Sequence, residues 1–391
     1  MGHPVFWLLV AAVVAPLLAA TRFGVHLPVV VLEVVLGILL GPHVLNLIQF
    51  DGFVEMMFTF AMACTLFMAG MELDFGQIRG RPLTLALGGW ALSLLLGLAA
   101  VGLLHVVPNV NAPVMVTIAL CTTSLGVLIP IFRDSGQLDS AFGRMVMAAG
   151  TLGELGPIVA MSLLLSQRYS TWQEVGYLLV FFAIVGMACA VGMGARPPRL
   201  LAFLARHMHT STQLPVRISF LLLAGLLVLA EQFGFEGIFG AFAAGMIVGM
   251  ATRGAAGKPL RDKIDAVSFG WFYPFFFVGT GVKFHVPALF ANATTMLLVP
   301  AFVLLFLFVR GAPVWLLYRN AIGPAQRLPF ALSSAVPSLS IIVVITEIGL
   351  RAKLMSHDIA AAMIGAALLS VLLFPTIAGA LMARRPATDT A

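Results

Sequence analysis

Long apolar stretches, cut at intervals by charge, proline or glycine, dominate this chain. They divide it into about thirteen segments, roughly 4–20, 27–47, 53–71, 82–107, 112–131, 144–166, 175–194, 213–231, 237–251, 266–282, 288–318, 325–350 and 358–382. The runs are continuous rather than alternating, which excludes a transmembrane barrel and predicts an all-α polytopic membrane protein. The first run has the length of a signal-peptide core. No positive residue precedes it, so it is read as a retained helix.

Composition sharpens this picture. Apolar residues make up 61% of the chain, charged residues 10%, and the mean hydropathy is +1.05. A water-soluble domain carries about 25% charged residues, so neither a soluble fold nor disorder fits. The net charge of +6 would suggest nucleic acid in a soluble protein, but here it poses a question of topology. Of 22 Lys and Arg, seventeen follow odd-numbered segments, four follow even-numbered ones, and Arg310 lies within a segment. A missed or extra helix would scramble that split. The positive-inside rule then places the N-terminus outside and the C-terminus in the cytoplasm of a multi-pass cell-membrane protein. Cys64, Cys121 and Cys189 sit in apolar runs and read as small buried side chains. HExxH, GxSxG, P-loop and CxxCH patterns are absent from the sequence. No cofactor, resident metal or catalytic residue is therefore expected, nor an enzyme.

Patterns recur at a separation near 210 residues. Gly37-Ile-Leu-Leu-Gly41 matches Gly245-Met-Ile-Val-Gly249, and Phe67-Met-Ala-Gly70-Met-Glu72 matches Val278-Gly-Thr-Gly281-Val-Lys283. Segments two to six would thus repeat as nine to thirteen. Equivalent helices stand seven apart, so the halves point in opposite directions, as in many secondary transporters. The same offset pairs two interruptions of apolar runs: Thr122-Thr123-Ser124-Leu125-Gly126, and Ser333-Ser334-Ala335-Val336-Pro337-Ser338. Non-helical backbone survives at membrane depth only beside protein or a wet cavity, so two matching breaks point to a transport site.

Four ionisable residues fall inside segments: Glu33, Glu154, Glu347 and Arg310. Each costs roughly 2.5–3.5 kcal/mol to insert and needs a reason. Glu154 lies mid-segment in Thr151-Leu-Gly153-Glu154-Leu-Gly156-Pro157, among small residues and just before a proline. Burial favours its protonated form and a bound cation its charged form, which suits alternate binding of the two. The competing reading is a protonated structural Glu. Arg310 either pairs with Glu154 or neutralises carbonyl ends of the broken helices. Glu33 reads as a packing or vestibule residue. Glu347 reads as a rim salt bridge with Arg351, or as an ion-entry group. Glu72 and Asp74 close the third segment, where Arg79 and Arg81 can balance them.

Residues 28–42, with Glu33, Gly37, Gly41 and Pro42, resemble the first repeat helix of the monovalent cation:proton antiporter family, which includes sodium/proton antiporters and Kef-type potassium efflux systems. Phe67–Asp74, the 122–126 break, Gly240–Gly245 and Phe275–Gly279 resemble further family segments in the same order. The resemblance covers nearly the whole chain. It implies an inverted five-helix repeat with two crossing broken helices. It also implies a dimerisation domain (1–75 and 213–282), a core transport domain (82–166 and 288–382), a linker helix (175–194) and a short cytoplasmic tail (383–391). The essential carboxylate of the family falls on Glu154 and its basic residue on Arg310. Where relatives carry Asp or Asn before the carboxylate, this chain has Gly153, and Glu stands in place of the usual Asp. The expectation is a homodimeric exchanger of Na⁺ or K⁺ for protons, electroneutral and elevator-like. Glu154, Thr122, Thr123 and Ser124 would bind the cation or proton, and Gly153, Arg310, Pro337 and Ser338 would support them. A sodium-coupled symporter, a channel-like efflux protein and an intramembrane enzyme are the rival readings.

Overall fold

A computed structural model describes residues 2–20, 28–73, 80–103, 113–134, 136–138, 140–165, 212–254, 257–289 and 293–383, with a few isolated helical positions between 176 and 186. Apart from those positions, the linker helix expected over 175–194 falls outside the described residues, as do Cys189 and the tail beyond Ala383. Every element is helical among those described: α1 (Gly2–Ala20), α2 (Val29–Leu40), α3 (Gly52–Glu72), α4 (Arg81–Leu103), α5 (Pro113–Leu120), α6 (Leu125–Asp134), α7 (Ala141–Leu165), α8 (Leu214–Gln232), α9 (Gly237–Ala251), α10 (Lys258–Val267), α11 (Tyr273–Lys283), α12 (Val286–Leu289), α13 (Ala293–Leu317), α14 (Pro324–Ser334), α15 (Leu339–Arg351) and α16 (His357–Ala383). Six of them are long and apolar enough to cross a membrane, and the pair α14–α15, bent by 41° at its break, makes a seventh. The protein is a multi-pass membrane protein. Helices such as α2 and α9 are shorter than a full span.

Chain contacts divide the molecule into two compact units, Met1–Leu73 with Val159–Phe284, and Asp74–Ile158 with His285–Ala391. In the first unit, glycines set the helix spacing. A Cβ on Gly37 would overlap the Val278 carbonyl oxygen, and one on Gly281 the Val34 carbonyl oxygen, so α2 and α11 touch backbone to backbone. Gly70 and Gly245 do the same for α3 and α9, against the Phe242 and Phe67 carbonyls. The two sequence motifs that repeat are thus used as crossed pairs, the first copy of one motif lying on the second copy of the other. Asp51 starts α3 by accepting from the Val54 amide at 2.8 Å, the usual role of an N-cap carboxylate. Phe58 stacks on Phe276 with ring centres 5.6 Å apart. Lys283 lies 4.4 Å over the Phe58 ring and pairs with Glu55 at 3.0 Å. Glu33 is buried on α2.

One expectation for this unit needs correction. The basic stretch at 258–263 is helix, not loop. It forms α10, which runs through a π-helical turn (Ser268–Phe272) into α11. Half-buried Leu260 and fully buried Ile264, four residues apart on one side, give it the apolar face that folds it. Arg79 and Asp74 fall outside the described residues, and Arg81 Nη2 donates to the Asn320 carbonyl at 3.1 Å. Arg253 covers the end of α3, donating to the Leu73 carbonyl at 3.1 Å. On the same side, Arg261 reaches the Gly249 and Thr252 carbonyls at 3.4 Å, a cation over the last turn of α9.

In the second unit α4, α5, α7, α13, α14, α15 and α16 surround the two helix breaks. Gly97 lets α4 approach Thr117 of α5, where an added Cβ would sit 2.8 Å from the threonine methyl. Tyr318 packs edge-on against Phe330, with ring centres 4.7 Å apart. Glu347 does form the expected pair with Arg351, at 3.0 Å on the rim of α15.

Candidate functional site

Both expected interruptions are real breaks. Helix α5 ends at Leu120 and α6 begins at Leu125; α14 ends at Ser334 and α15 begins at Leu339. Their unwound backbones satisfy one another. The Ser124 amide donates to the Val336 carbonyl at 2.9 Å, and the Ser338 amide donates to Thr122 Oγ1 at 3.4 Å. Thr123 Oγ1 donates to the Ser334 carbonyl at 2.6 Å, across 211 positions of sequence, the offset of the repeat. These bonds replace the water that buried backbone groups would otherwise need. Pro337 lies between the joined residues. It has no amide of its own to satisfy, which makes it an economical residue at this crossing.

Helix α7 supplies the carboxylate. Three glycines, spaced by three, line one side of it, two toward the first break and one toward α4. A Cβ on Gly150 would meet the Leu125 side chain at 2.5 Å, one on Gly153 would meet Thr123 Cβ at 2.5 Å, and one on Gly156 would run into the Trp90 ring. Pro157 explains a further contact. Lacking an N–H, it leaves the Gly153 carbonyl without its partner four residues on, and that carbonyl accepts from the Thr123 amide at 3.0 Å. A helix loosened at one point is thereby stitched to a helix broken at another.

Glu154, 2% exposed, stands between two of these glycines. Its Oε1 accepts from the Leu125 amide at 2.9 Å, the first amide of α6. The carboxylate thus caps a half-helix from outside the chain segment, where the positive end of the peptide dipoles favours negative charge. Oε1 serves here as an acceptor, a role open to the charged and to the protonated carboxyl alike.

Arg310, 4% exposed, reaches into the crossing from α13. Its Nε donates to Thr123 Oγ1 at 2.9 Å and to the Ser334 carbonyl at 3.4 Å, its Nη1 to Ser93 Oγ at 3.4 Å, and its Nη2 to the Ala149 carbonyl at 2.9 Å. None of these partners is a carboxylate. Of the two arrangements the sequence allowed, the guanidinium lies over the carbonyl end of α14, not against Glu154. The eight predicted site residues thus come together around one crossing. Glu154, Thr122, Thr123 and Ser124 lie on the α7 and α5–α6 side, and Pro337 and Ser338 on the other. Arg310 and Gly153 make contact with Thr123. Ser93, Ala149 and Trp90 also belong to this neighbourhood; each is a single ordinary residue in an apolar run, with no local pattern to single it out. No group of three His, Cys, Asp or Glu able to hold a resident metal occurs among the described residues.

A multi-pass helical protein with two broken helices joined beside a buried carboxylate and a buried arginine has the architecture of an inverted-repeat secondary transporter. Residues 9–384 match the family model for the sodium/hydrogen exchanger, transmembrane, and the chain belongs to that family. It is 27% identical to YjbQ of Bacillus subtilis (strain 168) over 94% of its own length and 61% of that protein's. It is 25% identical to the Na(+)/H(+)-K(+) antiporter GerN of Bacillus cereus, over 66% of this chain and 65% of GerN. Against cation/H(+) antiporter 18 of Arabidopsis thaliana the figures are 26% identity, 66% of this chain and 34% of the plant protein. The chain therefore spans less than two thirds of these relatives' lengths. The solved structure of the sodium proton antiporter MjNhaP1 from Methanocaldococcus jannaschii shares the fold, with a TM-score of 0.68 over 97% of this chain and 98% of that one, at 18% identity.

Proposed function

We propose that this protein is a secondary antiporter that exchanges a monovalent cation, Na⁺ or K⁺, for protons. The observation that carries the reading is Glu154: a buried carboxylate held by the first amide of a half-helix, at the crossing of two broken helices. The named relatives, antiporters rather than enzymes, support it. Glu154 binds either a proton or the cation. With the proton bound it is neutral and tolerates burial; with the cation bound the two charges compensate. Hard cations prefer oxygen ligands, and the Thr122 and Ser124 hydroxyls and the unwound carbonyls beside Pro337 supply them. The Thr123 hydroxyl already donates to Ser334 and accepts from Arg310, so its part is to hold the crossing together. Gly153 brings that crossing onto α7, and Ser338 ties the second break to Thr122. One exchanging carboxylate gives one-for-one, electroneutral transport.

On this reading the second unit is the moving core and the first the dimerisation domain of an elevator-type homodimer, with the N-terminus outside and the C-terminus in the cytoplasm. Purified protein in liposomes with an internal pH-sensitive dye tests the chemistry. Pulses of Na⁺, K⁺ or Li⁺ should move protons in wild type. Glu154→Gln, which keeps an acceptor for the Leu125 amide, should abolish the response. Exchange that survives in the Gln variant refutes the assignment, and current under a cation gradient refutes electroneutrality.

A further inference from the structure

Beside Arg310 the second unit holds a small cavity. Trp90 of α4, Arg310 of α13, Ser334 at the end of α14 and Tyr318 just beyond α13 line it, among apolar Ala86, Gly89, Ala149 and Val314. Three buried polar atoms of this lining, Trp90 Nε1, Tyr318 Oη and Ser334 Oγ, find no hydrogen-bond partner among the described protein atoms. Tyr318 and Ser334 are each only 2% exposed. Leaving such groups unmet costs about 1–3 kcal/mol apiece, and three around one space call for a shared partner. The space measures about 10 Å³, the room that a single water needs. The chemistry agrees: the indole N–H and the guanidinium only donate, whereas the two hydroxyls donate or accept.

We propose that this cavity binds one ordered water molecule, bridging Tyr318 Oη, Ser334 Oγ, Trp90 Nε1 and the Arg310 guanidinium, and that Tyr318 acts through it as a positioning residue for Arg310. The water ties α4, the end of α13 and the end of α14 at one point. The arginine is held there while its Nε serves Thr123 and the Ser334 carbonyl. A small anion would also suit the donors, but the volume matches water.

A structure at a resolution that shows other internal waters, determined in chloride and again in bromide, tests the site. One water-sized peak within hydrogen-bond distance of at least three of the four groups, unchanged in bromide, is the expected result. Absence of the peak, or anomalous bromide signal there, overturns it. The peak should vanish in the Tyr318→Phe/Ser334→Ala double variant, and its persistence overturns the assignment of partners. The melting-temperature losses of the two single variants should not add, because both break the same bridge; additive losses count against a shared water. A transport arm rests on the exchange reading: Tyr318→Phe lowers turnover about 5-fold, the factor carried by one net hydrogen bond, and leaves the cation concentration for half-maximal exchange unchanged. Unaltered turnover with the peak lost ends the positioning role. Silent wild-type protein instead faults the exchange reading and leaves the water site standing.

Discussion

Replacing Gly153 by Ala sets two physical effects against each other. In a helix interior, Ala is favoured over Gly by about 1 kcal/mol, so propensity alone makes Gly153→Ala stabilising. Packing says the opposite. The new methyl would sit 2.5 Å from Thr123 Cβ, 2.6 Å from its Oγ1 and 2.9 Å from its backbone nitrogen, where ordinary contact begins at 3.4 Å. Helix α7 must therefore retreat by about 1 Å, which breaks the 3.0 Å bond from the Thr123 amide to the Gly153 carbonyl. Overpacking costs about 1–3 kcal/mol and the lost bond about 1 kcal/mol more. Against the propensity gain, a net loss of about 1–3 kcal/mol remains. Thermal unfolding in detergent should show a lowered midpoint, and the further drop caused by Gly153→Ala should be smaller in a Thr123→Gly background, where two of the three clashing atoms are gone. Proton exchange should fall as well, since Glu154 follows Gly153 directly. A Gly153→Ala protein with the wild-type midpoint or a higher one, and full exchange, would refute the claim that glycine is there for close approach.

Arg310→Lys keeps the charge but cannot serve Thr123, Ser93 and the Ala149 carbonyl from one planar fork, so exchange should drop at least tenfold in the liposome assay. Outside the spans, burial raises the Asp265 carboxyl above its ordinary value; Arg261 partly offsets this and Asp262 adds to it. The folded protein then binds more protons than the unfolded chain at pH values from the ordinary Asp range up to the raised one, so stability falls as pH rises through that window. Melting curves from pH 4 to 8 should show this slope in wild type and a flatter profile in Asp265→Asn; identical profiles would dismiss it.

The apolar pattern made the helices legible because membrane helices must satisfy their own backbone, and a run of about twenty apolar residues leaves few other choices. The breaks were legible for the converse reason: Thr122–Gly126 and Ser333–Ser338 put hydroxyls, glycine and proline where lipid-facing sequence would have none. The partners across the breaks were not legible. Ser124 meets Val336, and Arg310 meets Thr123 and Ala149, through contacts spanning 161 to 212 positions, and no local pattern encodes which carbonyl a guanidinium will find. Helix α10 escaped because its charges read as loop, although Leu260 and Ile264 carried a helical spacing. Trp90 and Tyr318 looked like ordinary packing aromatics; only the cavity they share distinguishes them.

The position before Glu154 bears most directly on mechanism. A side chain of any size at 153 would strike Thr123, and Thr123 cannot retreat, because its amide, its hydroxyl hydrogen and its hydroxyl oxygen are committed to Gly153, Ser334 and Arg310. Glycine at 153 and threonine at 123 are therefore one solution, and a second acid or an amide at 153 belongs to a different arrangement of the crossing. It follows that Gly153→Asp does not add an ion-binding group to this protein. It displaces α7 first, at a cost like that of Gly153→Ala or greater. A two-carboxylate site can be sought only after Thr123 has been cut back to Gly. Liposome currents from Gly153→Asp with and without Thr123→Gly decide the point: electrogenic exchange in the single variant would show that the crossing yields more readily than these bonds imply.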